Sequence, residues 1–372
     1  MKLVIFGLTI SSSWGNGHAT LWRGLCRALV RRGHRVVFFE RDVPYYAHHR
    51  DLIELSGVTL CFYQSWSAVL PVAREQLADA DAGMVTSYCP DGVAASELVG
   101  CSPVRLRTFY DMDTPVTLER VRGGQPVSYI GPRGLRDFDL VLSYTGGKAL
   151  EELRTLLGAP RVAPLYGSVD PSTHYPVPSV DAYRADLSYL GTYADDRQRM
   201  LQALLVETSR RLPRRRFLIG GSLYPESFPW GENICYIPHV PPPEHPSFFC
   251  SSTFTLNVTR GAMAEMGYCP SGRLFEAAAC AAPLISDCWE GLEQFFSIGA
   301  EIAIARTTEE VMAALEMSPD RIARIGRAAQ ERVLAEHTAD QRVRDLERAL
   351  DAAGHALAEF GAYRYYPSTA ED

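Results

Sequence analysis

Several chemistries are ruled against by what this 372-residue chain lacks. No two of its nine cysteines stand as C-x-x-C, and the number is odd. That argues against a thiolate zinc site or a disulfide framework and for buried free thiols in a reducing compartment. No HExxH, GxSxG, P-loop or kinase signature occurs, and Asp111-Met112-Asp113 is a short acidic pair of metal-like spacing, which alone indicates no metal. Lysine is scarce beside arginine, and the formal net charge is -7, so no basic surface for nucleic acid or lipid is indicated. Long hydrophobic runs are absent too. Leu3–Ile10 is apolar but short, and it leads into Ser-Ser-Ser-Trp-Gly-Asn-Gly-His. It is too short to span a bilayer, has no signal-type cleavage region, and reads as a first strand. The expected location is the cytoplasm, as a monomer or homodimer.

What is present is ordinary for a globular protein, with 47% apolar and 22% charged residues. The length exceeds one hydrophobic core and predicts two domains. Strand patterns alternate with helical ones in the first half: Leu3–Leu8, Arg35–Glu40, Val58–Tyr63, Gly83–Tyr88, Val104–Tyr110, Asp139–Tyr144 and Arg161–Leu165 read as strands. Leu21, Leu25, Ala28 and Leu29 repeat at helical spacing before Gly33. Ser168–Val180 carries three prolines and no periodicity. Alternation then resumes with strand Leu187–Thr192, helix Asp195–Leu212, strands Arg216–Gly220, Asn233–Ile237 and Thr253–Val258, and a strand at Glu301–Ala305. Ser318-Pro319 and the Thr338 to Gln341 capping box open the last helices. The pattern predicts an α/β chain of two Rossmann-like, doubly wound domains facing a cleft. The boundaries are 1–170, a linker at 171–183, 184–340, and a C-terminal helix and tail at 341–372 that returns toward the first domain.

The most informative stretch is Ser271–Asp287. Ser271 is placed to N-cap a short helix, Pro283 to stop it, and Leu284-Ile285 to start a strand. The helix start with Gly272 and Arg273 suits a diphosphate, and Glu276, one turn in, suits a sugar hydroxyl. The other reading is an Ala-rich core helix with a solvated Glu. Arg197, at a helix start, and Arg260, after Asn257-Val258-Thr259, lie at strand ends on the same edge and predict three arginines converging on one anion. Glu290 and Gly291 follow the next strand and face the same edge. In the first half, Trp14-Gly15-Asn16-Gly17 forms a loop whose glycines permit close backbone approach, though as a dinucleotide fingerprint it is weak. His18 follows, either as a helix-entry residue or as a proton acceptor or sugar contact. Asp111 and Asp113 end a strand, either as turn formers or as site carboxylates.

The segments Leu256–Arg260, Gly267–Ser271, Arg273–Cys280 through Asp287, and Trp14–Ala19 resemble those of GT-B glycosyltransferases. More closely they resemble the CgeB-like (spore-maturation type) family, related to retaining family-4-type enzymes. The resemblance implies a glycosyltransferase of the hexosyl type. Its C-terminal domain would hold a nucleotide-diphospho-sugar as co-substrate, and its N-terminal domain would receive an acceptor hydroxyl or amine, with no metal and no cofactor. It implies that the Ser271 helix holds the diphosphate and that Glu276, the second acid of a family pair, contacts the ribose. The first acid of that pair falls at Tyr268, so the chain departs from the family where the donor sugar is contacted. His18 matches a position used as a base in inverting enzymes and as a sugar contact in retaining ones. Retention is the expected outcome. Rival readings are a sugar-nucleotide epimerase or hydrolase, a dinucleotide-dependent oxidoreductase using the Gly15 loop, and a non-catalytic sugar-nucleotide binder.

Overall fold

A computed structural model describes residues 1–359, so the tail expected within 341–372 lies partly outside the described residues. The first sheet holds β1 (Lys2–Gly7), β2 (Arg35–Arg41), β3 (Val58–Tyr63), β4 (Ala82–Thr86), β5 (Leu106–Asp111), β6 (Leu140–Ser143) and β7 (Val162–Pro164), in the order β3-β2-β1-β4-β5-β6-β7. The second holds β8 (Ala185–Leu190), β9 (Phe217–Gly220), β10 (Ile234–Ile237), β11 (Ser252–Asn257), β12 (Leu284–Ser286) and β13 (Ala303–Ile304), in the order β10-β9-β8-β11-β12-β13. Every neighbouring pair runs parallel. The two doubly wound α/β layers expected from the alternation are therefore present.

Parallel sheets are covered on both faces, which is why their strands read as near-continuous apolar runs. In β1, Leu3 and Ile5 enter one core with Trp22, Leu25 and Leu29, while Val4 and Phe6 enter the other with Val37 and Phe39. In the second sheet Leu187 and Tyr189 face one core and Leu190 the other. Each sheet reverses its winding once, between β1 and β4 and between β8 and β11. Loops diverge at such points and leave a crevice beyond the strands' carboxyl ends.

The chain crosses between the sheets twice, and the crossings pair with each other. Val169 N donates to His337 O (3.0 Å), and Ala339 N donates to Val169 O (2.8 Å). The final helix, Ala339–Glu359, lies against the first, His18–Arg31. Val343, Leu346 and Leu350 join the core of Leu25 and Leu29, and Arg31–Asp340 (2.9 Å) and Arg32–Glu347 (2.6 Å) pair along the edge. No described helix is long and apolar enough to cross a membrane.

Several local expectations change. The helix expected over Asp195–Leu212 runs as α (Asp195–Leu201), a π turn (Gln202–Val206), then α (Glu207–Arg211). Pro283 is not what stops the site helix. That helix, Gly272–Ala279, ends earlier, and Ala281 turns the chain with φ +55°. Its carbonyl is met by Gly326 of the helix Pro319–Glu336, where a Cβ would lie 2.4 Å from that oxygen. The Ser318 cap forms, its hydroxyl accepting from Arg321 N (3.4 Å). The Thr338 box forms by half: Thr338 Oγ1 accepts from Gln341 N (3.3 Å), while the Gln341 amide turns to Asp345 (3.4 Å).

Gly326→Ala is expected to destabilise the fold by about 1–3 kcal/mol, because backbone carbonyl and helix must separate. Gly100→Ala, in the helix Gly92–Cys101 with open space around it, is expected to be neutral or stabilising by up to about 1 kcal/mol. Urea unfolding of both variants checks the contrast; equal midpoints would refute it.

Candidate active site

The two crevices face each other across a cleft of about 400 Å³. Its walls are the loops after β1, β4 and β5 on one side, those after β8, β9, β10 and β11 on the other, and the start of the helix Gly272–Ala279. The strand ends expected to share an edge do so: Gly15, Asn16, Gly17, His18 and Asp113 face Arg197, Arg260, Ser271, Gly272, Arg273 and Glu276.

The positively charged end is built on that helix. Ser271 holds the N-cap position, but its hydroxyl makes no capping bond, contrary to expectation; Leu274 N turns back to the Ser271 carbonyl instead (3.0 Å). The hydroxyl and the helix's positive end are thus left toward the cleft. Arg273 Nε is buried and has no hydrogen-bond partner among the described residues. Burial lowers the guanidinium's pKa, opposed by the Glu276 carboxylate. Arg197 donates to Thr192 O through Nη2, and its Nε is also unpartnered. Arg260 pairs with Asp196 (3.1 Å). The three arginines line one cleft, but only Arg273 and Arg197 keep buried N–H groups unspent.

Glu276 is not solvated. It is 5% exposed, and Oε1 accepts from Thr20 Oγ1 (3.0 Å) across the cleft. Burial raises its pKa, and His174, His245, Arg273 and the Thr20 bond more than offset that, leaving it below the usual glutamate value. Burial also lowers both imidazoles, His245 to about 4.

Opposite, His18 Nε2 lies 3.7 Å from Asp113 Oδ2. Asn16 sets this up: its side-chain oxygen accepts from His18 N (3.1 Å), and its Nδ2 donates to Ser12 O (3.2 Å). The helix therefore starts at His18, one residue earlier than expected near Ala19. Asp111 does not line the cleft. It lies beneath it, accepting from Asp113 N (3.1 Å), with Oδ2 unpartnered. Burial pushes its pKa up to about 7. Asp111 braces the turn that presents Asp113 rather than facing a ligand.

Five other expected residues stand outside the cleft lining: Trp14, Asn257, Tyr268, Glu290 and Gly291. Trp14 stacks on His49 (4.5 Å) and its ring lies 4.8 Å from that of His239, in the loop after β10. Asn257 is buried on Ser286 (3.0 Å). Tyr268 has φ +49°, and its ring is wedged between Gly147 and Gly291, where a Cβ would come within 2.4 Å and 2.3 Å of it. Its backbone binds both halves, accepting from Gly146 N (3.0 Å) and donating to Glu290 O (2.7 Å). Tyr268 is a strut between the domains. Residues missed from the sequence include Thr20, Tyr88, Ser222, His239 and His245, all in the lining. Tyr88, Ser222 and His239 fall within two residues of a strand's carboxyl end, a positional signal that was available.

Residues 197–348 match the protein family described as "Glycosyl transferase-like". No curated protein matches the chain. Among solved structures it is similar to sucrose-phosphate synthase from Thermosynechococcus elongatus (TM-score 0.69, 13% identity, covering 95% of this chain and 100% of that one). It is likewise similar to an alpha-glucosyltransferase in complex with UDP (TM-score 0.70, 12% identity, 94% and 100%). Anabaena HepE in complex with UDP and glucose gives TM-score 0.64 at 12% identity, covering 95% and 100%. The chain has the two-sheet GT-B fold, and its match within residues 197–348 is to a glycosyl transferase-like family.

A carboxyl raised in the fold stabilises below its unfolded pKa and loses that contribution as pH rises through the folded value. For Asp111 the window runs from about pH 4 to about pH 7. Asp111→Asn is therefore expected to melt higher than the parent at pH 8, with the gain shrinking toward pH 4. Thermal melts across that range check it, and a difference independent of pH would contradict it.

Proposed function

We propose that the cleft transfers a sugar from a nucleotide-diphospho-sugar to an acceptor hydroxyl or amine. The observation that carries this reading is Arg273: a half-buried guanidinium whose Nε is buried and unpartnered among the described residues, at the open start of a helix, between two topological switch points. A cation with an unspent N–H beside the positive end of a helix suits a diphosphate. Structures sharing the fold were solved with UDP, with UDP and glucose, or with ADP, which favours UDP- and ADP-sugars as the first donors to try. On this reading residues 184–340 carry the donor and 1–170 the acceptor, joined by 171–183 and tied back by the helix from 341.

In transfer the bond from the sugar's C1 to the diphosphate breaks, and the phosphate oxygen keeps the electron pair. Arg273, Arg197 and the helix start stabilise that charge as it develops, without a metal. The acceptor oxygen bonds to C1. Glu276, ionised and held by Thr20, accepts from the ribose hydroxyls. Family resemblance favours retention, with the acceptor proton passing to the departing phosphate. The His18–Asp113 pair (3.7 Å) supports a second reading, inversion, in which His18 Nε2 takes that proton and Asp113 steadies the resulting imidazolium. The anomeric configuration of the product, read by NMR, separates the two.

Arg273→Ala is expected to cut transfer about 10²–10³-fold. Glu276→Ala is expected to weaken donor use about 10–100-fold. Circular dichroism should remain that of the parent. Unchanged rates in both variants would refute the donor site. Transfer is also expected to survive a chelator; loss restored by a divalent ion would refute metal independence.

A further inference from the structure

Three buried groups meet behind the donor wall of the cleft. His174 comes from the crossing segment between the sheets, His245 starts the helix His245–Cys250, and Glu276 lies on the helix Gly272–Ala279. Their exposures are 4%, 8% and 5%, and one ligand atom of each lies within 4.8 Å of the others. His245 Nδ1 is 4.0 Å from a Glu276 oxygen.

The hydrogen bonds around them fix which nitrogens carry protons. His245 Nε2 lies 3.2 Å from Val240 O, a pure acceptor, so Nε2 is protonated and Nδ1 is a bare lone pair. Thr173 Oγ1 donates to Asp170 O (3.0 Å) and has no second proton for His174 Nδ1, also 3.0 Å away. His174 Nδ1 therefore donates to Thr173, and its Nε2 is bare. These two bare nitrogens, His174 Nε2 and His245 Nδ1, have no partner among the described residues. Two imidazole lone pairs and a carboxylate thus face one another with no proton among them, an unfavourable grouping in a buried site unless something electrophilic joins it.

We infer that His174, His245 and Glu276 form a binding site for a borderline divalent ion of the Zn²⁺ class. Two neutral imidazoles and one carboxylate suit zinc and its neighbours rather than Mg²⁺ or Ca²⁺, which prefer oxygen. The Val240 and Thr173 contacts supply the outer hydrogen bonds that orient ligating histidines. Ligands about 2.0–2.1 Å from a tetrahedral ion stand roughly 3.4 Å apart, so the cluster, whose ligand atoms lie within 4.8 Å of one another, must contract by up to about 1.4 Å on binding. His245 and Glu276 line the cleft and His174 does not, so the ion's fourth position opens toward the donor. Because Glu276 is also the proposed ribose contact, the ion and the donor compete for one carboxylate. The ion is an inhibitor, not a cofactor. This competition rests on the proposed donor reading; ion binding does not.

The test is titration of metal-stripped full-length protein with Zn²⁺ against a chromophoric chelator. One equivalent should bind, at least tenfold more weakly in His174→Ala and unchanged in His49→Ala. Transfer by the parent should be inhibited by Zn²⁺ competitively with donor, while His174→Ala keeps its rate and loses that sensitivity. Should His174→Ala misfold, Co²⁺ added to the parent should give the intense visible bands of a four-coordinate ion. Absence of a one-to-one complex, full affinity in a folded His174→Ala, loss of binding in His49→Ala, or only the weak bands of six-coordinate Co²⁺ would each overturn the site. Binding with no competition would leave the ion site standing and refute the role given to Glu276 at the ribose.

Discussion

Parallel pairing is the constraint from which the active cleft follows. Each sheet points its strands' carboxyl ends one way, and each reverses its winding once, so its loops spread apart at a single place. The paired crossings at Val169 and Thr338 set the two openings opposite each other. The start of the helix Gly272–Ala279 then has one direction to face. The arginines after β8 and β11 and the His18–Asp113 pair from the first sheet meet it there because each follows the carboxyl end of a parallel strand.

Burial gives these groups their character. In water a guanidinium or carboxylate is shielded and weakly selective; screened by protein, each is strongly biased toward a partner of opposite charge. Arg273 has a nearby countercharge in Glu276 but keeps an unspent N–H. Asp111, with no cation close by, is pushed toward its neutral form and serves as a brace. Two buried carboxyls thus play opposite parts, decided by whether a cation stands beside them.

Much of the scaffold was legible along the chain. Leu3–Leu8 reads as a buried strand because covering both faces of a sheet demands an unbroken apolar run. The Ser271 helix reads as an anion site because a cap position, a glycine and an arginine stand together. Tyr268 was not legible: its backbone carries it through a left-handed turn, and its ring fills space that only Gly147 and Gly291 leave open. Thr20 was not legible as a partner of Glu276, since 256 residues separate them. The capping role of Ser271 failed because the amide of Leu274, the third helical residue, found the Ser271 carbonyl instead of its hydroxyl.

By itself, then, the sequence determined the strands, the helices, their alternation and the edge on which polar residues gather. Hydrophobic period, capping and turn chemistry act over a few residues, and a single chain displays them. Only the tertiary structure decided which polar groups share the cleft, which are struts beneath it, and that two histidines from separate segments stand behind Glu276. Those outcomes depend on how two sheets are set against each other, and no local pattern encodes a distance between residues that meet only after the chain has crossed over.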